Sequence, residues 1–346
     1  MRFGYLAFAE VAGGGRGTFR ALADEARAAE RAGFDIYAMT EHHQGQQGEI
    51  SSPLAWLTAL AAVTERIELG PCVALLPLYH PLRLAEETAI LDVVSDGRAF
   101  LGVGMGYQRR DLEPFGVAPG QRVPAFERSL GFLARQLGTP QPDGDPQDGD
   151  PQDGDPRDRG VRVTPTPVRQ PVPIWGGATK RVAIERVARR CDGWICGGTT
   201  PLDKLERGTD IYVRAATAAG REPRIMLLRD VWLTGGNAPA DAAYIADLRR
   251  HFEHLHRADG PRDAPPAGTI GADALAGTAI VGDAAHCRAV IAGHAARVPI
   301  DTFLVRMRTG YGPPADAVVD AILRFGDEVI GPLRQAAEPG SRVSHG

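Results

Sequence analysis

No run of apolar residues in this chain approaches the roughly 18 that a membrane-spanning helix needs, so nothing in it reads as a membrane span. An excess of basic charge is missing too: 39 Lys and Arg against 43 Asp and Glu give a formal net charge of −4, which offers nucleic acid no electrostatic footprint. Membrane and nucleic acid are therefore set aside as partners. Cysteine is scarce. Cys72, Cys191, Cys196 and Cys287 do not make a disulfide framework, and the spacing of Cys191 and Cys196 fits neither a CxxC redox pair nor a zinc knuckle. They read as small buried apolar residues in a reducing compartment. The start, Met1-Arg2-Phe3-Gly4, lacks the charged segment, apolar stretch and cleavage site of a signal peptide, so a cytoplasmic location is expected.

What is present is alternation. The 346 residues, 43% hydrophobic, suffice for a large core, and short apolar runs alternate with longer amphipathic stretches along the whole chain. Strands are expected at Arg2 to Ala9, Ile36 to His42, Ile67 to Leu75 and Ala99 to Gly106, and again at Val172 to Gly177, Gly193 to Gly198, Ile225 to Leu233 and Thr302 to Met307. Helices are expected at Phe19 to Ala32, Pro53 to Arg66, Pro81 to Val94 and Pro124 to Leu137, three of them with proline in the first turn, where its missing N–H costs nothing. In the second half the helical stretches are Lys180 to Arg190, Asp203 to Ala219, Ala240 to His256 and Ala315 to Ile330. Eight such units predict an α/β fold of the (β/α)8, or TIM-barrel, type, in a single domain over 1–338.

Two segments stand outside that pattern. Residues 139–160 carry repeats of Gln-Asp-Gly-Asp-Pro, in which proline blocks helix and aspartates repel one another, so a disordered acidic insertion is expected. Its Asp-x-Asp spacing invites a calcium reading, yet the EF-hand order and terminal glutamate are absent. Residues 339–346 are expected to be a disordered tail.

Glu41, His42 and His43 end the second strand, on the side of the barrel where such enzymes place their chemistry. Alternation sends His42 and His43 to opposite faces. A metal would need further convergent ligands, and no other His/Asp/Glu cluster sits at a strand end, so no metal is expected. Gly102, Gly104 and Gly106 alternate along the fourth strand and offer a face without Cβ atoms, on which a flat ring or a phosphate could lie; tight packing of the strand is the plainer reading. Gly177, Ala178, Thr179 and Lys180, with Arg181, lead from a strand through a glycine turn into a helix whose free N–H groups suit a phosphate, Thr179 reading as the cap. Arg122, ahead of the fourth helix, is placed to reach the same anion, and Gly70 to Ala74 end the third strand with small residues.

Taken in order, Ala32-Gly33-Phe34-Asp35, Glu41-His42-His43, His80 to Glu86, Leu91 to Arg98, Gly102 to Gln108, Pro171 to Gly177 and Asp192-Gly193-Trp194 resemble the bacterial luciferase-like flavin-dependent monooxygenases over nearly the whole chain. The resemblance implies a (β/α)8 barrel and reduced FMN delivered by a separate flavin reductase. It implies reaction with O2 to a C4a-hydroperoxide that oxygenates a bulky organic substrate by epoxidation, hydroxylation or Baeyer-Villiger insertion. It matches His42, with Glu41 beside it, to the catalytic histidine. Cys72 and Val73 match the edge on which the isoalloxazine packs, at a non-proline cis peptide in relatives. Gly104 and Met105, with Arg122 and the segment Gly177 to Lys180, match the cofactor's phosphate end. Two departures stand out. Met105 occupies a position where relatives often carry arginine, which keeps open F420-dependent hydride transfer as an alternative, and the acidic repeat replaces a short ordered stretch. A flavin-binding relative without catalysis is the third reading. The family commonly dimerises through first-half helices, for which Leu54, Leu57, Leu60 and Ala61 are available unless they pack on the barrel.

Overall fold

The computed structural model describes residues 1–8, 16–44, 50–137, 160–257 and 278–337. The acidic repeat, most of the loop after His43, the excursion from Asp259 to Ala276 and the C-terminal tail lie outside the described residues. Among the described residues ten parallel strands form one sheet, nine of them in the order β3-β2-β1-β10-β8-β7-β6-β5-β4. These are β1 (Arg2–Ala7), β2 (Ile36–Met39), β3 (Glu68–Pro71), β4 (Ala74–Leu75), β5 (Leu101–Gly104), β6 (Ile174–Gly177), β7 (Gly193–Cys196), β8 (Ile225–Leu233), β9 (Ala279–Gly282) and β10 (Thr302–Arg306).

β3 and β4 are two halves of one barrel position, separated by Cys72 and Val73, whose peptide bond is cis. The ring is completed by a bridge from Leu69 to Ala99, so eight positions surround the axis, as the alternation predicts. β9 was not anticipated. It pairs with the C-terminal half of β8, Asp230 opposite Ala279 through Leu233 opposite Gly282, and so hangs on the outside of the ring.

Helices alternate with the strands: α1 (Arg16–Arg31), α2 (Pro53–Ala61), α3 (Pro81–Val94), α4 (Arg109–Leu112), α5 (Arg122–Gln136), α6 (Arg181–Arg190), α7 (Leu202–Ala218), α8 (Ala238–Arg257), α9 (Ala284–Arg297), α10 (Ala315–Phe325) and α11 (Gly331–Ala337). Among the described residues no helix is long and apolar enough to cross a membrane. α2 stops at Ala61 rather than continuing to Arg66, and α9 was missed because its alanines and histidines carry almost no apolar periodicity. Leu57 and Leu60 are fully buried, and Leu54 and Ala61 nearly so, in the layer between helices and strands. Of the two roles open to that face, packing on the barrel is the one the fold uses.

Alternation along each strand divides the core in two. Outward-facing side chains such as Phe3, Tyr37, Leu69 and Val305 join the helices, whereas Leu6, Ile36, Phe100, Trp175, Met226 and Leu304 fill the barrel itself. Below them, the chain from α3 to β5 seals the N-terminal floor. Asp96 and Gly97 take positive φ, 56° and 78°, and turn the chain so that Arg98 points back under α2. Its guanidinium donates to Ser95 O, Thr64 Oγ1, Ile67 O, Ala61 O and Thr64 O, at 2.6 to 3.1 Å. The frayed end of α2 is thereby satisfied without water.

Candidate active site

Where β2 ends, at Met39, the chain leaves the barrel rim through Thr40, Glu41, His42 and His43. Asp111, in the four-residue helix α4 that follows β5, organises this segment. His42 Nδ1 lies 2.9 Å from Asp111 Oδ2, and the His43 amide donates to Asp111 Oδ1 at 2.8 Å. The Asp111 side chain is 1% exposed and that of His42 is 16% exposed, so the carboxylate is sealed and the imidazole is reachable. Burial alone pushes the Asp111 carboxyl up. The hydrogen bond and charge of His42, with the His43 amide and Arg110, outweigh it and hold the group below its ordinary value. An ionised Asp111 accepts a hydrogen and offers none, so the proton of neutral His42 sits on Nδ1 and Nε2 is left with its lone pair.

Glu41 turns the other way. Its Oε2 accepts the Leu75 amide at 2.6 Å, and its Oε1 accepts the Tyr79 hydroxyl at 2.6 Å and faces His43 Nε2 at 3.0 Å. Burial, then the Glu41 charge, pushes the Tyr79 phenol far above its ordinary value, so it remains a donor. Glu41 was expected beside His42 as a catalytic group; its carboxylate is instead spent on anchoring β4. That anchoring fixes Val73, one residue before Ala74.

The glycine face of β5 is filled by the protein itself. A methyl group at Gly102 would run into the Pro71 carbonyl, and one at Gly104 would lie 2.5 Å from Val73 Cγ2. At Gly177 it would lie 3.3 Å from Val73 Cγ1. Gly106 is beyond the strand, in a turn with φ 67°. The glycines thus seat Val73 rather than form an open floor, and the plainer packing reading holds for Gly102 and Gly104. Cys72 lines the barrel interior at 8% exposure, and burial, then Cys196, pushes its thiol up to about 12, far from a reactive thiolate.

The basic residues lie at the neighbouring junctions after β5 and β6, two strands that pair directly. Arg122 is the first residue of α5 rather than part of the preceding loop, and its Nη1 donates to Gly106 O at 3.2 Å. Met105, between the strand and that carbonyl, packs half-buried against the outer core. Lys180, not Thr179, takes the cap position of α6, without a side-chain cap bond, and both residues are exposed. Ala178 is pinned from below by Trp194 Nε1, which donates to its carbonyl at 2.8 Å. Arg186 of α6 reaches Glu127 of α5 at 2.8 Å, which ties the two helices together.

The opposite wall of the mouth was not foreseen. Arg306, at the end of β10, donates from Nε and Nη2 to the two oxygens of Asp230 on β8, at 2.6 and 3.0 Å, and stands 5.5 Å over the Phe8 ring. Tyr107 lies between the walls: its ring meets His42 edge-on at 6.2 Å, and its phenol feels both Asp111 and Arg306. Thr40 is 8% exposed and, among the described residues, its hydroxyl has no hydrogen-bond partner. Asp111 is separated from His42 by 69 residues, and neither it nor the Asp230–Arg306 pair carries a local signal that would single it out.

A model of the luciferase-like monooxygenase family matches residues 1–302, and the chain belongs to that family. Among solved structures, the monooxygenase RslO1 from Streptomyces bottropensis superposes with a TM-score of 0.79 at 22% identity, covering 96% of this chain and 99% of that one. The oxygenating constituent of 3,6-diketocamphane monooxygenase from Pseudomonas putida, a type II Baeyer-Villiger enzyme in complex with FMN, superposes at 0.72 with 20% identity, covering 95% and 98%. An F420-dependent glucose-6-phosphate dehydrogenase from Nakamurella multipartita is 33% identical over 203 residues, 56% of each chain. Relatives of this fold thus include both an FMN complex and an F420-dependent enzyme. The matched segments span 28% to 57% of the lengths of the curated relatives.

Proposed function

We propose that the protein is an oxidoreductase of the two-component type, which takes reduced FMN from a separate flavin reductase and uses O2 to oxygenate a bulky organic substrate in the cytoplasm. The observation that carries this reading is the reachable His42 held by a sealed, ionised Asp111 at the rim of the barrel. With Nδ1 engaged, His42 Nε2 takes or returns one proton at the mouth without reorienting. When bound, reduced FMN would supply the two electrons by which one atom of O2 leaves as water while the other enters the substrate.

The residues present fit such a cofactor. The Cys72–Val73 edge, seated by Gly104 and Gly177 and anchored through Glu41, would carry the ring system. Met105, Arg122, Ala178, Thr179 and Lys180 would hold the phosphate end, where exposed cations precede the free N–H groups of α6. The orphaned Thr40 hydroxyl offers a further polar contact inside the rim. Glu41 is a positioning residue in this scheme.

A second reading, F420-dependent hydride transfer, is favoured by Met105 standing where an arginine is expected and by the F420-dependent relative. Anaerobic titration with reduced FMN and with reduced F420 separates the two. FMN binding with negligible F420 affinity, and 18O from 18O2 in the product, support the monooxygenase; the reverse affinities establish the alternative. The active form is a homodimer in which α3 of each copy covers Ile90, Val93 and Val94, exposed at 40%, 41% and 44%. A monomer mass by light scattering would exclude it.

A further inference from the structure

The Asp230–Arg306 pair is a larger investment than packing requires, because both side chains lie in the barrel interior. On β10, Thr302, Leu304 and Arg306 share one face, and Leu304 belongs to the inner cluster. On β8, Asp230 follows Met226 and Leu228 on that same face, and on β1 Phe8 follows Leu6. The pair therefore forms the topmost layer of the barrel fill, opposite Cys72 and Val73.

The guanidinium has five N–H groups, and Asp230 takes two of them. Among the described residues Nη1 makes no hydrogen bond, although the side chain is only 8% exposed. Nη1 is not sealed from the mouth, so the edge of the guanidinium that Asp230 leaves uncovered is open to a ligand there. Asp230 also cancels the charge: the pair is net neutral, with its plane fixed by the fork. An anionic ligand would meet the Asp230 carboxylate beside the arginine. A neutral oxygen with in-plane lone pairs meets only the two hydrogens of Nη1.

We infer that Arg306 Nη1, held by Asp230, is the substrate-orienting donor of this site, and that the substrate presents a neutral carbonyl oxygen to it, a ketone, aldehyde or ester. Tyr107 stands edge-on to His42 at 6.2 Å and its phenol senses the Arg306 charge, so a carbonyl seated on Arg306 lies in the same opening as the proton-transfer group. The inference rests on the barrel mouth being the substrate site, as proposed above, and holds for either cofactor.

Binding to the cofactor-free protein tests it independently. Calorimetric titration with cyclic ketones from cyclohexanone to cyclododecanone is set against the exocyclic methylene analogue of each ring size. At least one ketone is expected to bind about tenfold tighter than its analogue. In the double variant Arg306→Met with Asp230→Leu, which replaces the pair by apolar side chains of similar size, that preference falls to about one, while FMN affinity is unchanged. Arg306→Lys, which lacks the fork, restores only part of it. Equal binding of ketone and analogue at every ring size, or a preference that survives in the folded double variant, overturns the inference. Loss of FMN binding in the wild type, with ketone preference intact, would instead sink the cofactor assignment alone.

Discussion

The two walls of the barrel mouth solve the same problem with different acids and bases. On the β2 side, Asp111 and Glu41 are paired with imidazoles, an amide and a phenol; on the β8–β10 side, Asp230 is paired with Arg306, backed in the helix–strand layer by Glu25 of α1 paired with Arg308. An imidazole changes charge near neutral pH, whereas a guanidinium does not within the range where the protein folds. In the proposed function one wall moves a proton, and the other keeps its donors fixed. Buried guanidinium pairs add little net stability compared with apolar packing, so their presence at the mouth rather than in the lower barrel points to positioning.

That contrast is most easily broken at His42. His42→Ala is expected to lower turnover about 10²- to 10⁴-fold with the fold intact by circular dichroism; unchanged turnover would move the proton-transfer role elsewhere or revive the non-catalytic reading. The fixed wall answers in stability instead. Arg308→Met removes the buried cation from Glu25, which also accepts the Tyr5 hydroxyl at 3.0 Å, and is expected to cost about 3–5 kcal/mol in urea unfolding. A cost below about 1 kcal/mol would show that this wall is not the rigid one. Gly104→Ala forces a methyl against Val73 and is expected to cost about 1–3 kcal/mol. Adding Val73→Ala should recover part of that cost, and strict additivity of the two would separate the glycine from its neighbour.

The smallest effect is set by acid. The folded pKa of Asp111 is lowered, so its contribution to stability is complete above the unfolded value of about 3.9 and disappears as the pH falls through the folded value. Asp111→Asn should flatten the loss of stability below about pH 4, measured by urea midpoints, and leave the neutral range offset by a constant amount.

The barrel was legible in the sequence because period-two apolar runs and proline-started helices are local. β8 was expected at Ile225 to Leu233 and is found there, and α3 runs over Pro81–Val94 as its spacing predicts. The candidate site was legible only where chemistry and strand end coincide, at His42. Asp111 stayed hidden because its contact lies 69 residues away, and the hold of Glu41 on β4 was not legible because a carboxylate next to histidine looks the same whether it faces the mouth or anchors a strand. The glycines of β5 showed that something approaches closely, but not that it is Val73.

Arg98, with its five hydrogen bonds beneath α2, bears on what a match to this family reports. The segment from Leu91 to Arg98 is among the stretches that carry the resemblance, yet the hydrogen bonds of Asp92, Ser95 and Arg98 close the end of the barrel opposite the candidate site. A sequence detector tuned to it identifies a chassis, and monooxygenases and F420 enzymes are both returned because they need the same sealed base. In the proposed function, information about the reaction is stored at the other end, in side chains as far apart in the chain as Thr40 and Arg306.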